Sequence, residues 1–233
     1  MAVLPPAGVP VSSIDEAVAR MEEIDAALPP ADGLRCFNHM YLGVTLNVGE
    51  QVTAGFFDDP EFVSHLDVVF ANIYLDAVNA VAESDPVPKA WWPLVESRTM
   101  TGIEPIQFAL AGMNAHINHD LPLAVNETCV DLGTSPSSGS HHADYQKVDE
   151  LLADAERQIR QSFEAGVVLE ADRHAQAVLD LVCSWSMSSA RDVAWNTSMA
   201  LWSLRRSTLA RGLLTNALAR TTAMASRMLL VDV

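Results

Sequence analysis

The feature that most constrains this sequence is the stretch 108–122, which is apolar or small at nearly every position. Its exceptions are two asparagines, two histidines and one aspartate, all within residues 114–120. A helix that is apolar on all sides is normally buried in the core of a protein. Burying polar groups in such a place costs free energy unless they are hydrogen-bonded or take part in binding or catalysis. We therefore predict that this stretch lies at the centre of the fold and that any functional site includes its polar residues.

Apolar residues recur at helical spacing along most of the remaining chain, and no segment shows the sustained alternation typical of a strand. Residues 1–12 are expected to form an extended arm, and residues 13–233 a single helical domain. The predicted fold class is all-α, a single-domain bundle of roughly seven or eight helices around a buried central helix. The predicted helices cover about 14–28, 35–54, 60–83, 103–126, 145–163, 171–187, 190–209 and 212–230.

Charge and cysteine usage limit the expected partners and compartment. The net charge is −16, and basic residues approach a cluster only at Arg205, Arg206, Arg211 and Arg220. Because nucleic acids and anionic membranes attract clustered cations, we expect neither as a partner. Three dispersed cysteines without a C-x-x-C pair, no apparent signal peptide and no membrane-length apolar run favour a cytoplasmic protein. The expected partner is a small-molecule ligand or substrate, and the oligomeric state stays open.

Two lines of polar side chains run along the central helix when residues are placed about 100° apart. They lie on opposite borders of the apolar face and consist of Gln107, Asn114 and Asn118 on one border and of His116 and Asp120 on the other. A straight helix cannot bring both lines into one compact site. We therefore expect the His116–Asp120 line to be functional, whereas the amide line is the stronger candidate for a packing device.

Pro122 adds a further expectation for the same helix. Proline has no N–H group, so the carbonyl of Asn118 is predicted to lose its partner and the helix to kink. A kink and a bare carbonyl beside two imidazoles and a carboxylate would form a polar pocket.

His116 and Asp120 are four residues apart and can touch on a helix, and three roles fit that pair. The carboxylate could orient the imidazole and raise its basicity for acid–base catalysis. The two side chains could instead be ligands of a divalent metal, completed by His119, His39 or His142. Finally, the pair could be a buried hydrogen bond that only fixes helix packing. The sequence leaves these three roles open.

The run Pro105–Asn118, followed by Asp120-Leu121-Pro122, resembles the hallmark of a family of helical proteins of unknown function. The motif reads N-A-H-I-N-x-D-L-P, and segments 37–42, 66–74 and 191–195 extend the resemblance. The resemblance implies no activity. The residues that it assigns to the family pattern are Gln107, Asn114, His116, Asp120, Tyr74 and Arg98. The His116–Asp120 spacing has a looser likeness to zinc-dependent phospholipase C, although the further His and Glu ligands of those enzymes are missing here.

The leading hypothesis is an enzyme that acts on a small or medium, largely apolar organic substrate. His116 would move protons and Asp120 would orient it, with hydrolysis, isomerisation and cyclisation equally open. Either no cofactor is needed, or a divalent metal is held by His116, Asp120 and His119. The alternatives are a metal-dependent hydrolase using the same pair and a non-catalytic ligand-binding or scaffold protein. Substrate contacts are predicted for Asn114, Gln107, Asn118, Tyr74, Arg98 and Trp195.

Overall fold

The computed structural model describes residues 4–153 and 186–232, and every regular element in those ranges is helical. The all-α prediction is therefore confirmed for the described part of the chain. The predicted helix at 171–187 and the second half of the one at 145–163 lie largely outside it. The elements are α1 (Ile14–Ala27), α2 (Gly33–Thr53), α3 (Pro60–Glu83), α4 (Trp92–Ser97), α5 (Pro105–Ala115), a π turn (His116–Asp120), α6 (Leu121–Asp131), α7 (141–153 in the described residues), α8 (Met187–Ser203) and α9 (Thr208–Leu229).

The ends of several helices follow from capping side chains. Ser13 and Asp59 each accept a backbone N–H in the first turn of α1 and α3. The break before α9 differs from the prediction, which placed it around Gly212. In the structure α9 runs through Gly212 and begins after Ser207, whose hydroxyl accepts the N–H of Ala210. A serine cap stabilises a helix by about 1 kcal/mol, which offsets the similar cost of one internal glycine.

The central helix is buried, as its composition predicts. Every residue from 107 to 122 is buried except Asn118, which is half-buried. α5 packs against α2 and α9, whereas α6 packs against α3 and α8. Gly112 lets α2 approach closely, because a Cβ atom at this position would overlap the ring of Phe37. The small residues of α5 are therefore used for close helix packing.

The central helix widens into a π turn where a proline kink was predicted. The N–H of Leu121 bonds to the carbonyl of His116, five residues back instead of four. Pro122 follows in the first turn of α6, a position where a missing N–H has little cost. The prediction of a kink centred on Pro122 is therefore replaced by one extra residue in the preceding turn. Such π turns within helices are frequent at functional sites.

Residues 4–12 form no helix and lie against α3. The side-chain amide of Asn79 pairs with the backbone of Gly8, and that of Asn72 pairs with the backbone of Val11 at 2.8 and 2.9 Å. These contacts hold the arm on the outside of the bundle. Within residues 4–153 and 186–232, no helix has the length and apolar character needed to cross a membrane.

Candidate functional site

The carboxylate of Asp120 accepts three hydrogen bonds inside the core. Its Oδ2 atom receives Trp91 Nε1–H at 2.9 Å and lies 3.1 Å from Nδ1 of His116. Its Oδ1 atom lies 2.7 Å from Nδ1 of His119. Both histidines of the wide turn reach this aspartate, His116 from four residues before it and His119 as its immediate neighbour. Asp120 itself is fully buried.

These contacts determine the protonation state of the group. Burial alone would raise the pKa of Asp120, but the hydrogen bonds from His116 and His119 outweigh burial and hold the pKa below its ordinary value. An ionised carboxylate only accepts hydrogen bonds, so both histidines present Nδ1–H to it. In the neutral imidazole of His116 the lone pair is therefore on Nε2. This arrangement fixes the tautomer of His116, as a buried carboxylate does in hydrolytic triads.

His116 is enclosed by aromatic rings. The ring of Phe70 stacks on it with centroids 3.4 Å apart, and Tyr41 meets it edge-on at 4.4 Å. Burial lowers the pKa of His116, and the hydrogen bond and charge of Asp120 offset this effect only in part. The expected rise in basicity is therefore outweighed by desolvation. His116 is a neutral imidazole whose Nε2 atom has no hydrogen-bond partner among the described residues.

A mainly apolar cavity of about 80 Å³ is lined by His116 and by residues of α2, α3, the central helix, α7 and α8. Three polar atoms of its lining residues are buried without a hydrogen-bond partner in the described part of the chain. They are Nε2 of His116, the hydroxyl of Tyr41 and Oδ2 of Asp67. Orphaned buried polar groups are rare, because each one costs about 1–3 kcal/mol. Three of them around one cavity make this cavity the candidate functional site.

Sequence analysis did not select Asp67, because polar residues are common on helix surfaces. Burial raises the pKa of its carboxyl to about 7. A signal was nevertheless present in the spacing, since Asp67 falls on the same helical stripe as Val63, Phe70 and Tyr74. A carboxylate on the apolar stripe of a helix has to be buried, whereas one on the opposite face does not.

The amide line of the central helix faces α9 instead of the cavity. Nε2 of Gln107 donates to the carbonyls of Leu229 and Val231 at 2.7 and 3.0 Å. Nδ2 of Asn114 donates to the carbonyl of Thr222, and Nδ2 of Asn118 donates to Oδ1 of Asn114, both at 2.9 Å. These bonds tie α9 to the central helix. The predicted substrate contacts of the three amides stay predictions.

The other predicted contact residues also have protein partners, and none lines the cavity. The hydroxyl of Tyr74 donates to Asn38 at 3.1 Å. Arg98 forms a buried ion pair with Asp32, with Nη2 and Oδ2 2.8 Å apart. Trp195 stacks on His142 at 4.6 Å. The structure thus brings together His116, His119 and Asp120, and it places the predicted contact residues elsewhere in the bundle.

The described residues contain no group of three or more His, Cys, Asp or Glu side chains arranged to hold a metal ion. His39, proposed as an additional ligand, is highly exposed, and its Nδ1 atom lies 3.4 Å from Asp25. His142 packs on Trp195, and His119 bonds to the same aspartate as His116. Of the proposed ligands, only His116, His119 and Asp120 lie together, and hydrogen bonds join them to one another.

Comparisons with known proteins identify the family. A family model described as a family of unknown function, DUF5995, matches residues 14–232. No curated protein and no solved structure matches the chain. The resemblance to a family of unknown function is confirmed, whereas neither the motif as its hallmark nor the phospholipase C analogy is shown by this match. Since the matched range spans nearly the whole sequence, the chain belongs to the DUF5995 family.

Proposed function

We propose that the cavity beside the π turn is an active site in which His116 transfers protons to and from a small, largely apolar organic molecule. One arrangement carries the proposal: His116 lines the cavity, its Nδ1–H is held by Asp120, and its Nε2 atom has no hydrogen-bond partner in the described part of the chain. A neutral imidazole oriented in this way can act as a general base.

Asp120 is the positioning residue in this proposal. Its bond to His116 fixes which nitrogen carries the proton, and its charge stabilises the imidazolium that forms when Nε2 takes a second proton. The N–H groups of Trp91 and His119 in turn hold the carboxylate in place. Positioning of this kind supports catalysis because the groups need not reorganise during the reaction.

Asp67 supplies a second proton carrier, whose pKa is shifted in the direction opposite to that of His116. Burial raises its pKa to about 7 while burial lowers the pKa of His116. Near neutral pH the cavity therefore offers an imidazole ready to accept a proton and a carboxyl group able to donate one. Pairs whose environments push their pKa values in opposite directions are typical of acid–base sites. Such a pair serves hydrolysis, isomerisation and cyclisation equally well.

The lining favours an uncharged substrate. Arg191 is the one cationic side chain among the lining residues in the described part of the chain, and it is already paired. Its Nε atom donates to Asp149 and its Nη2 atom to the carbonyl of Tyr145, both at 2.6 Å. No free positive charge is therefore offered to an anion. The three unpartnered polar atoms fit hydroxyl, carbonyl or ester groups on an otherwise apolar molecule.

The test compares metabolite extracts incubated with the wild-type protein and with His116→Ala, followed by mass spectrometry of the apolar fraction. We expect at least one compound to be consumed by the wild type and to persist with the variant. His142→Ala is the matched control, because that histidine stacks on Trp195 outside the cavity and should leave turnover unchanged.

Two results contradict the proposal. Equal consumption of the compound by wild type and His116→Ala would show that this imidazole is not required. A compound that is retained by the wild-type protein but never converted would identify a binding protein instead of an enzyme. Circular dichroism of each variant establishes that the fold is intact.

A further inference from the structure

Helix α9 presents an apolar face to the outside of the bundle. Its inner face packs through Ala219, Thr222, Ala223 and Ser226, which are buried. On the outer face four large apolar side chains are more than half exposed: Leu209 at 76%, Leu213 at 65%, Met224 at 65% and Met228 at 75%. At 100° per residue these four positions fall within an arc of about 100°. They form a stripe of two apolar pairs with Asn216 and Arg220 between them, and such a stripe is a candidate interaction surface.

The same part of the chain is positively charged. Residues 193–231 contain five arginines and no aspartate or glutamate, although the whole chain carries a net charge of −16. Arg220 and Arg227 fall on or beside the apolar stripe and are exposed. One carboxylate from another helix, Glu96, lies 4.0 Å from Arg227, with both side chains more than half exposed. The surface of α9 therefore requires a partner that is both apolar and acidic.

An acidic, partly apolar groove lies elsewhere on the molecule. We call it the α3–α6 groove; it has a volume of about 790 Å³, and the arm, α1 and the end of α2 complete its walls. Its floor includes Val68, Val69 and Ile73, and none of its lining residues is Lys or Arg. His65 is paired with one of the carboxylates, Asp131, at 3.0 Å. The carboxylates that line it are Asp15, Glu61, Asp76, Glu127 and Asp131.

We propose that α9 of one copy of this chain docks into the α3–α6 groove of a second copy. Both surfaces combine apolar with charged side chains, and their charges are opposite. Recognition of an amphipathic helix by a groove is a common mode of association between proteins. The complementary charges add specificity and speed the encounter. This proposal is independent of the proposed acid–base function.

The two surfaces belong to different parts of one molecule. α9 packs on α4, α5 and the π turn, and none of these elements lines the groove. Each contact therefore joins the helix of one copy to the groove of another copy. A symmetric contact of α9 with α9 is disfavoured, because it would bring the arginines of the two copies together.

The test uses two variants that each remove one half of the contact. The face variant carries Leu213→Glu and Arg220→Glu, and the groove variant carries Asp76→Lys and Asp131→Lys. We expect the wild type to self-associate in sedimentation velocity experiments and to dissociate at high salt. Each variant alone should self-associate at least about tenfold more weakly, because a like charge then opposes the partner surface.

Mixing the two variants gives the decisive measurement. The groove variant still has an intact α9 face, and the face variant still has an intact groove, so an equimolar mixture should form a heterodimer and no larger species. The matched control is Val193→Glu with Val130→Glu, since both valines are exposed apolar residues on other helices. That control should associate like the wild type, and circular dichroism should show the same helix content for all variants.

Three outcomes overturn the proposal. The first is a wild type that stays monomeric at low salt up to its solubility limit. The second is a mixture of the two variants that fails to form a heterodimer. The third is a symmetric dimer that the face variant disrupts and the groove variant leaves intact. Flotation with phosphatidylserine vesicles, carried out in parallel, reveals whether a monomeric wild type instead uses the face on an anionic lipid surface.

Discussion

The ring of Phe70 lies parallel to the imidazole of His116, with centroids 3.4 Å apart and an angle of 6° between the planes. This contact covers one face of the imidazole with hydrocarbon, and both residues line the cavity. Since water cannot solvate the covered face, the charged form of His116 is disfavoured. Phe70 therefore contributes directly to keeping the proposed base neutral.

Phe70→Leu should raise the pKa of His116 toward its ordinary value of 6.5. The smaller side chain removes the stacking ring and admits water, so burial disfavours the imidazolium less strongly. A pH titration of the imidazole nitrogens by NMR measures this change and also reports the Nδ1–H tautomer. Phe56→Leu is the control, because Phe56 packs on Phe57 instead. An unchanged His116 pKa in Phe70→Leu would show that this ring does not shield the imidazole.

Asp120→Asn should destabilise the fold by roughly 3 kcal/mol. The substitution keeps the size of the side chain but turns one acceptor into an N–H₂ donor, which then faces the N–H groups of Trp91, His116 or His119. Urea unfolding measures the loss in free energy of unfolding. The exposed Asp85→Asn should stay within about 0.5 kcal/mol of the wild type. Equal stability of Asp120→Asn and wild type would mean that the carboxylate is not ionised in the fold.

Asp67→Asn should be more stable than the wild type above pH 7 and similar to it near pH 4. The pKa of Asp67 is about 7 in the fold, above its ordinary value of 3.8, so the folded state binds the extra proton between these values. The stability that this carboxyl contributes is therefore complete below about pH 4 and is lost as the pH rises to about 7. The difference between the two proteins should reach the order of 3–4 kcal/mol.

Urea unfolding of wild type and Asp67→Asn between pH 4 and pH 9 gives the comparison. Taking the difference between the two proteins cancels the effect of His116, whose lowered pKa makes stability rise with pH instead. A constant difference across the whole range would contradict the buried protonated carboxyl. Asp67→Asn should also reduce turnover of any substrate found for the wild type.

Two helical glycines should respond in opposite ways to alanine. At Gly112 a Cβ atom would overlap the ring of Phe37, so Gly112→Ala should destabilise the fold by about 1–3 kcal/mol. At Gly43 a Cβ atom meets nothing within 4 Å, so Gly43→Ala should stabilise it by up to about 1 kcal/mol through helix propensity. Thermal unfolding of both variants measures the contrast. Stabilisation of the fold by Gly112→Ala would mean that α2 and α5 pack less tightly than they do in the structure.

The helical class, the buried central helix and the His116–Asp120 contact could all be predicted from the sequence. Each depends on spacing within one helix, and such spacing is set by local geometry. The part of the chain that the amide line contacts could not be predicted in this way. Gln107 and Asn114 bond to residues more than 100 positions later in the chain, and nothing local specifies that pairing.

The wide turn and Asp67 were missed for related reasons. A helical wheel drawn at 100° per residue assumes an ordinary α-helix throughout. It therefore could not reveal the five-residue hydrogen-bonded turn in which His119 also reaches Asp120. Asp67 did not stand out because helix surfaces commonly carry polar residues. Its position on the apolar stripe indicates a functional role only once α3 is known to pack beside the central helix, where Asp67 and His116 line the same cavity.

The π turn also limits how the gene for this protein can change in length. Removing one codon between 116 and 120 would restore ordinary helical pitch. Because the wide turn closes over five residues where an α-helix closes over four, the face of α6 that packs on α3 and α8 would keep its direction. A one-residue deletion there would therefore remove the shared contact of the two histidines with Asp120 and leave the second half of the bundle able to assemble, whereas a one-residue deletion elsewhere in the central helix would turn α6 by about 100°.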